Sequence, residues 1–287
     1  MLTISALRLV IILAGLLVIT PSKSDAVATV FSVGGTDPAS IQTTVDAFRT
    51  ALGGGSVAGA NGSFGGIRRE INWDGVPDAL SAPNNLPANF FNVNSPRGVV
   101  FATPGSGFQV SANTGIAPIE FGNLNATYPS IFRTFSPQRL FTALGSPITD
   151  VNFFGAGTAT PATVSGFGAV FTDVDFANTT SIQYFDVNNA SLGSFFVLPG
   201  VAPAGAASNE TLSFLGVSFT TERISRVRIT TGNSSLGPND GGELDLVVMD
   251  DFIYSEPQVV PEPTTLFLLG SGLLGLAGIS LRRSRKA

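Results

Sequence analysis

The sequence predicts a mainly β protein: a jelly-roll-like β-sandwich with one N-terminal amphipathic helix. Three observations predict it. Phe is unusually common, at 23 of 287 residues, and Gly commoner still, at 33. Runs of Phe and β-branched residues recur from Ile148 onward, separated by Gly, Pro and Asn. Aromatic and β-branched side chains fill a pleated face, and Gly supplies the positive φ that tight turns need. The stretch 36–55 stands apart, because its apolar residues follow a helical period.

The chain opens MLTISALRLVIILAGLLVIT. Arg8 precedes an apolar run from Leu9 to Ile19, and Ala26-Val27-Ala28 fits the small-x-small cleavage rule. We read residues 1–28 as a secretory signal peptide, with Thr29 as the new N-terminus. The run is short for a span of ~30 Å of hydrocarbon, which argues against a permanent anchor. In TDPASIQTTVDAFRTALGGG, Ile41, Val45, Phe48 and Leu52 fall on one helical face. Asp37 suits the N-cap, Pro38 the first helical position and Gly53 the end. That face should pack on a sheet.

Residues 64–112 are dense in Pro, Asn and Gly, yet keep apolar anchors that a linker lacks. We expect ordered loops ending in short strands near Gly98–Thr103 and Phe108–Ser111. The single Trp, Trp73, lies here beside Asp74, with Arg69 just upstream. An indole with a nearby carboxylate and guanidinium can hold a sugar ring, the ring stacking on the apolar sugar face. The competing and preferred reading makes Trp73 a core residue and pairs Arg69 or Glu70 internally. From Ile148 the strand signals follow in turn. They are VSGFGAVFTDVDF, then SIQYFDV and SLGSFFVL around an Asn188-Asn189-Ala190 turn, then TLSFLGVSF, RISRVRIT and ELDLVVMDDFIY. In RISRVRIT, Val227 and Ile229 share one face while Arg226 and Arg228 share the other, a half-buried strand with a wet basic side. Strands so spaced favour a sandwich.

Composition excludes several chemistries. The chain has no Cys and no His. Disulfides, thiolate nucleophiles, Cys/His zinc sites and a Ser-His-Asp triad are therefore ruled out. Residues 29–263 contain no Lys, and their nine arginines face nineteen acids. A balance near −10 repels phosphate backbones, which argues against nucleic acid as a partner.

The acids gather late: Asp173 and Asp175 in TDVD, Asp240, Glu243 and Asp245 in NDGGELD, then Asp250 and Asp251 in MDDF. Calcium takes six to eight hard oxygens, so Asp173, Asp175, Asp250 and Asp251 are candidate ligands, although no EF-hand spacing is present. Asp173 and Asp175 should share one face of a strand. The plainer reading makes all four solvated strand ends and turn residues. A glycosidase needs only two carboxylates at a set separation, but among nineteen acids the sequence nominates no pair. Six Asn-x-Ser/Thr triplets read as turn composition.

The tail reads VPEPTTLFLLGSGLLGLAGISLRRSRKA. Thr264 to Leu281 carries no charge and would cover ~27 Å as a helix, enough to cross a bilayer. Arg282, Arg283, Arg285 and Lys286 follow, which keeps the C-terminus on the cytoplasmic side. Pro261 and Pro263 flank Glu262 and disfavour helix there. This three-part tail resembles the PEP-CTERM sorting signal of Gram-negative bacteria. The resemblance implies an exosortase as partner, cleavage near Pro-Glu-Pro, and delivery to the cell surface or exopolysaccharide matrix.

The expected organisation is a signal peptide (1–28), a helix and loop-rich segment (29–112), a β-sandwich ectodomain (113–257) and a sorting signal (258–287). The expected function is a non-enzymatic structural or adhesive surface protein, with exopolysaccharide as a candidate partner. The alternatives are a lectin-like carbohydrate-binding module and a carboxylate-dependent polysaccharide hydrolase.

Overall fold

The computed structural model describes residues 27–54, 66–202, 204, 208–221, 223–237, 242–260 and 272. The expected signal peptide up to residue 26 and, apart from Gly272, the expected transmembrane helix and basic end lie outside them. Among the described residues no helix is long and apolar enough to cross a membrane.

The elements run β1 (Ala28–Gly35), α1 (Pro38–Ala51), β2 (Arg68–Ile71), α2 (Phe90–Val93), β3 (Val99–Ala102) and β4 (Gly107–Val110). Then come β5 (Phe141–Leu144), β6 (Ile148–Phe153), β7 (Ala162–Thr163), β8 (Gly166–Thr172), β9 (Ser181–Phe185) and β10 (Ser191–Phe196). The last are β11 (Leu212–Phe219), β12 (Arg226–Thr230), β13 (Val248–Ser255) and β14 (Gln258–Val259).

One sheet has the order β1-β11-β8-β13-β5-β4, with β2 also pairing β13; the other has the order β10-β9-β12-β6-β3. The two face each other across a shared core. Phe101, Val151, Phe153, Ile182, Tyr184, Val227 and Ile229 come from the second sheet, and Phe141, Phe167, Phe171, Val217, Phe252 and Tyr254 from the first. From β5 to β13 the chain alternates between the two sheets, except at the β9–β10 hairpin and at β7, which pairs with β14 as a small ribbon. Strands from 29–112 and from 113–257 occur in both sheets, so the two segments are woven together.

Helix α1 forms as its local chemistry dictates. The Asp37 carboxylate accepts from the Ser40 backbone N–H at 2.9 Å, and the Ser40 hydroxyl accepts from the Asp37 N–H at 3.1 Å. This satisfies donors that the first turn leaves unpaired. Gly53, at φ 110°, ends the helix. Ile41, Val45, Phe48 and Leu52 pack on Val170, Leu212, Phe214 and Ile253, on the outer side of the first sheet. Gly168 and Gly216 make room for the Phe48 ring, since a Cβ at either would come within 2.9 Å of it. Strand β8 is therefore buried on both faces.

The strand expected through TDVD stops at Thr172. Asp173 turns into the left-handed region, at φ 68°, and its N–H donates to the Thr211 carbonyl. Asp173 and Asp175 therefore do not share a strand face. Strand β13 carries a register shift between Met249 and Phe252, which places Asp250 and Asp251 at a bulge.

Candidate functional site

Trp73 is only 1% exposed. Its ring stacks on Phe141 with centroids 4.1 Å apart, and its indole N–H donates to the Asp250 carbonyl at 3.0 Å. Both ring faces are enclosed by protein, which corrects the reading of Trp73 as a sugar platform. Arg69 is turned elsewhere and forms a two-pronged pair with Glu256, both contacts at 2.7 Å. Asp74 accepts from the Gln138 N–H at 2.7 Å, and burial pushes its carboxyl up to about 6.

The acidic candidates divide between two places. Asp250 and Asp251 are buried beneath α1. Asp250 accepts from the backbone N–H groups of Phe135 and Ser136, and Asp251 accepts from the Ser136 hydroxyl at 2.6 Å. Arg49 lies 3.5 Å from Asp251 and clamps Glu70 with two hydrogen bonds; Arg68 also pairs with Glu70. Burial holds the Asp250 carboxyl well above the usual range, and the charge of Asp251 adds to this. These carboxylates are partnered from within the protein and present no surface to a polymer. The internal pairing of Glu70 was expected from sequence, but its partners Arg49 and Arg68 and the burial of Asp250 and Asp251 were not. The one hint was the alternation in RREI, where Arg68 and Glu70 point inward.

Asp173 and Asp175 instead line a surface cavity of about 300 Å³ with Asn209 and Leu246. Nearby Asp245 accepts from the Asp175 N–H and from the Thr179 hydroxyl. The four calcium candidates thus do not converge. Among the described residues, no group of three or more carboxylates is arranged to hold a metal ion.

The polar surface assembled by the fold lies on the outer face of the second sheet. Register sets Asp150 opposite Arg228, with Gln183 on the far side of Arg228, and sets Asn152 opposite Arg226. Arg228 holds Asp150 through two hydrogen bonds of 2.9 and 2.8 Å, and Arg226 adds a third at 2.8 Å. Burial alone would raise the Asp150 carboxyl, but the two guanidinium groups outweigh it and hold it below its ordinary value. The Arg226 guanidinium lies 3.8 Å above the Phe185 ring, a cation–π contact. The wet basic side expected from RISRVRIT is present as this face.

At the edge of the face runs a groove. Two cavities, of about 400 and 270 Å³, share Asp186 and Val187 at the turn between β9 and β10. Arg223, Gln258 and Val259 line the larger, and Asn152, Asn189 and Arg226 line the smaller. The lining comes from segments far apart in sequence, so no local pattern announces it.

The chain leaves this groove directly into its tail. β14 pairs with β7, and the Val260 N–H donates to the Pro161 carbonyl at 3.0 Å, so ordered backbone reaches the residue before Pro261. Residues 259–286 match the PEP-CTERM protein-sorting motif. The chain carries a PEP-CTERM sorting signal. The match includes Pro261, Glu262, Pro263, Arg282, Arg283, Arg285 and Lys286, and such a motif implies export and membrane-associated sorting. The first residue of the PEP-CTERM match, Val259, is also a residue of the fold. No curated protein matches the sequence. Among solved structures, the enzymatically active domain of bacteriophage CBA120 tailspike protein 4 aligns at 10% identity and a TM-score of 0.23. That alignment covers 63% of this chain and 21% of the tailspike chain, and a likeness so weak carries no argument.

Proposed function

We propose that this is an exported structural or adhesive protein. An exosortase processes it at the membrane and delivers it to the cell surface or extracellular matrix, where its sandwich contacts polysaccharide. The observation that carries the reading is the sorting motif at 259–286, set directly behind a folded β domain. In this reading residues 264–281 anchor an intermediate in the membrane, and their removal frees the domain. A jelly-roll ectodomain is supported by the strand orders β11-β8-β13-β5 and β10-β9-β12-β6, which the chain fills by crossing between sheets. Many such modules are lectin-like, but fold alone assigns no function.

A carbohydrate-binding role is favoured by the outer face of the second sheet. There Arg226, Arg228, Asp150, Gln183 and Asn152 present fixed donors and acceptors around the Phe185 ring. Sedimentation of the purified full-length protein with exopolysaccharide from its own host tests this. The protein is expected to pellet with the polymer, and its retention in the supernatant would contradict the polysaccharide reading.

A further inference from the structure

We infer that the groove beside Val187 is a binding site for an acidic saccharide, whose uronate carboxylate is held by Arg223. This deepens the polysaccharide reading above and rests on it. The charge pattern supports it first. Arg49, Arg68, Arg69, Arg133, Arg139, Arg226 and Arg228 each hold a carboxylate within the protein. Arg223 lines the larger lobe with its guanidinium 6.0 Å from the Phe219 ring centroid, and none of the ion pairs among the described residues includes it. Asp186 also lines the lobe, and its Oδ1 accepts from the Asn188 and Ala190 N–H groups at 2.8 and 2.9 Å, so backbone donors of the turn partly offset its charge. In a chain with more acids than bases, a guanidinium left without a carboxylate can take one from a ligand. Its planar fork matches a carboxylate with two hydrogen bonds.

Shape and polarity support it second. The larger lobe falls within the ~300–1,000 Å³ of small-ligand sites, and both lobes are lined in part by Asp186 and Val187. Val187 and Val259 are about half exposed, at 53% and 49%, and both border the larger lobe. They offer an apolar surface to the C–H face of a pyranose ring. Asn189 and Gln258 stand beside them as amides able both to donate to and to accept from hydroxyls. A neutral sugar would meet Arg223 only through its hydroxyls, without a charge-assisted two-pronged pair, so the carboxylate is the discriminating element.

The test uses the full-length chain in detergent micelles and isothermal titration calorimetry with trigalacturonate, with neutral trigalactose as the comparison. Trigalacturonate is expected to bind about tenfold or more tightly than trigalactose. Arg223→Gln should erase that preference, the loss expected for a charge-assisted hydrogen bond. Val187→Ser, at an exposed position, should weaken binding of both sugars while leaving the melting temperature unchanged. No binding of trigalacturonate by the wild type, or equal binding by Arg223→Gln, would overturn the site. Sedimentation with host exopolysaccharide run alongside separates the two levels. Equal retention of wild type and Arg223→Gln overturns the site and leaves the polysaccharide reading standing. Retention of neither removes both.

Discussion

Trp73 lies nearly parallel to Phe141 and meets Phe91 and Phe252 edge-on, at 5.5 and 5.0 Å. Rings held from several sides cannot collapse into a void. Trp73→Ala is therefore expected to cost about 3–5 kcal/mol of stability, measured by denaturant unfolding, while the folded fraction keeps its affinity for saccharide. A loss of affinity without a loss of stability would restore Trp73 as a ligand contact. Its neighbour Asp74 gives a pH signature. Its carboxyl titrates at about 6 in the folded chain, against an ordinary 3.8, because burial disfavours the charge. Between those values the native state binds more protons than the unfolded state, so the contribution of Asp74 to stability falls as pH rises. Asp74→Asn removes that dependence. The stability difference should move in the variant's favour from about pH 4 to about pH 6 and then level off, as denaturation at a series of pH values would show. A difference that stays flat across this range would contradict the assignment.

At the scale of elements, what could be read from sequence was what is local. The period of Ile41, Val45, Phe48 and Leu52, with Asp37 and Gly53 as caps, belongs to one short stretch, and α1 follows it. The β9–β10 hairpin was legible for the same reason, its turn lying between two Phe-rich strands. Strand β2 was not. Its four residues RREI turn Arg68 and Glu70 inward, and only Arg49 from α1 and pairing with β13 make that arrangement stable. The end of β8 was also illegible, because TDVD keeps a strand's alternation while Asp173 leaves the strand to meet Thr211. The groove depends on residues from 152 to 260, so its composition emerges only when the sheets are assembled. The cap of α1 permits a direct check. Asp37→Ala removes the acceptor for Ser40 and is expected to destabilise the protein by about 1 kcal/mol, read as a shift of the denaturation midpoint with an unchanged slope.

Taken as a whole, the molecule is an acidic antiparallel sandwich joined to its sorting signal with hardly any spacer. Val260 is still bonded to Pro161, and Pro261 follows it. The groove shares Val259 with the sorting match, so the surface that would meet a matrix polymer lies beside the segment to be processed. The same closeness limits how far an enzyme could reach upstream of Pro261 without prying β14 from β7. Cleavage is thus expected at or beyond the Pro-Glu-Pro. The most direct test is intact mass and fractionation of the protein from its native host, for the wild type and for Glu262→Ala. The wild type is expected to lack its apolar C-terminal segment and to appear at the surface or in the matrix, while Glu262→Ala stays full-length in the inner membrane. Full-length, membrane-bound protein in both cases would contradict the account and make the tail a simple anchor.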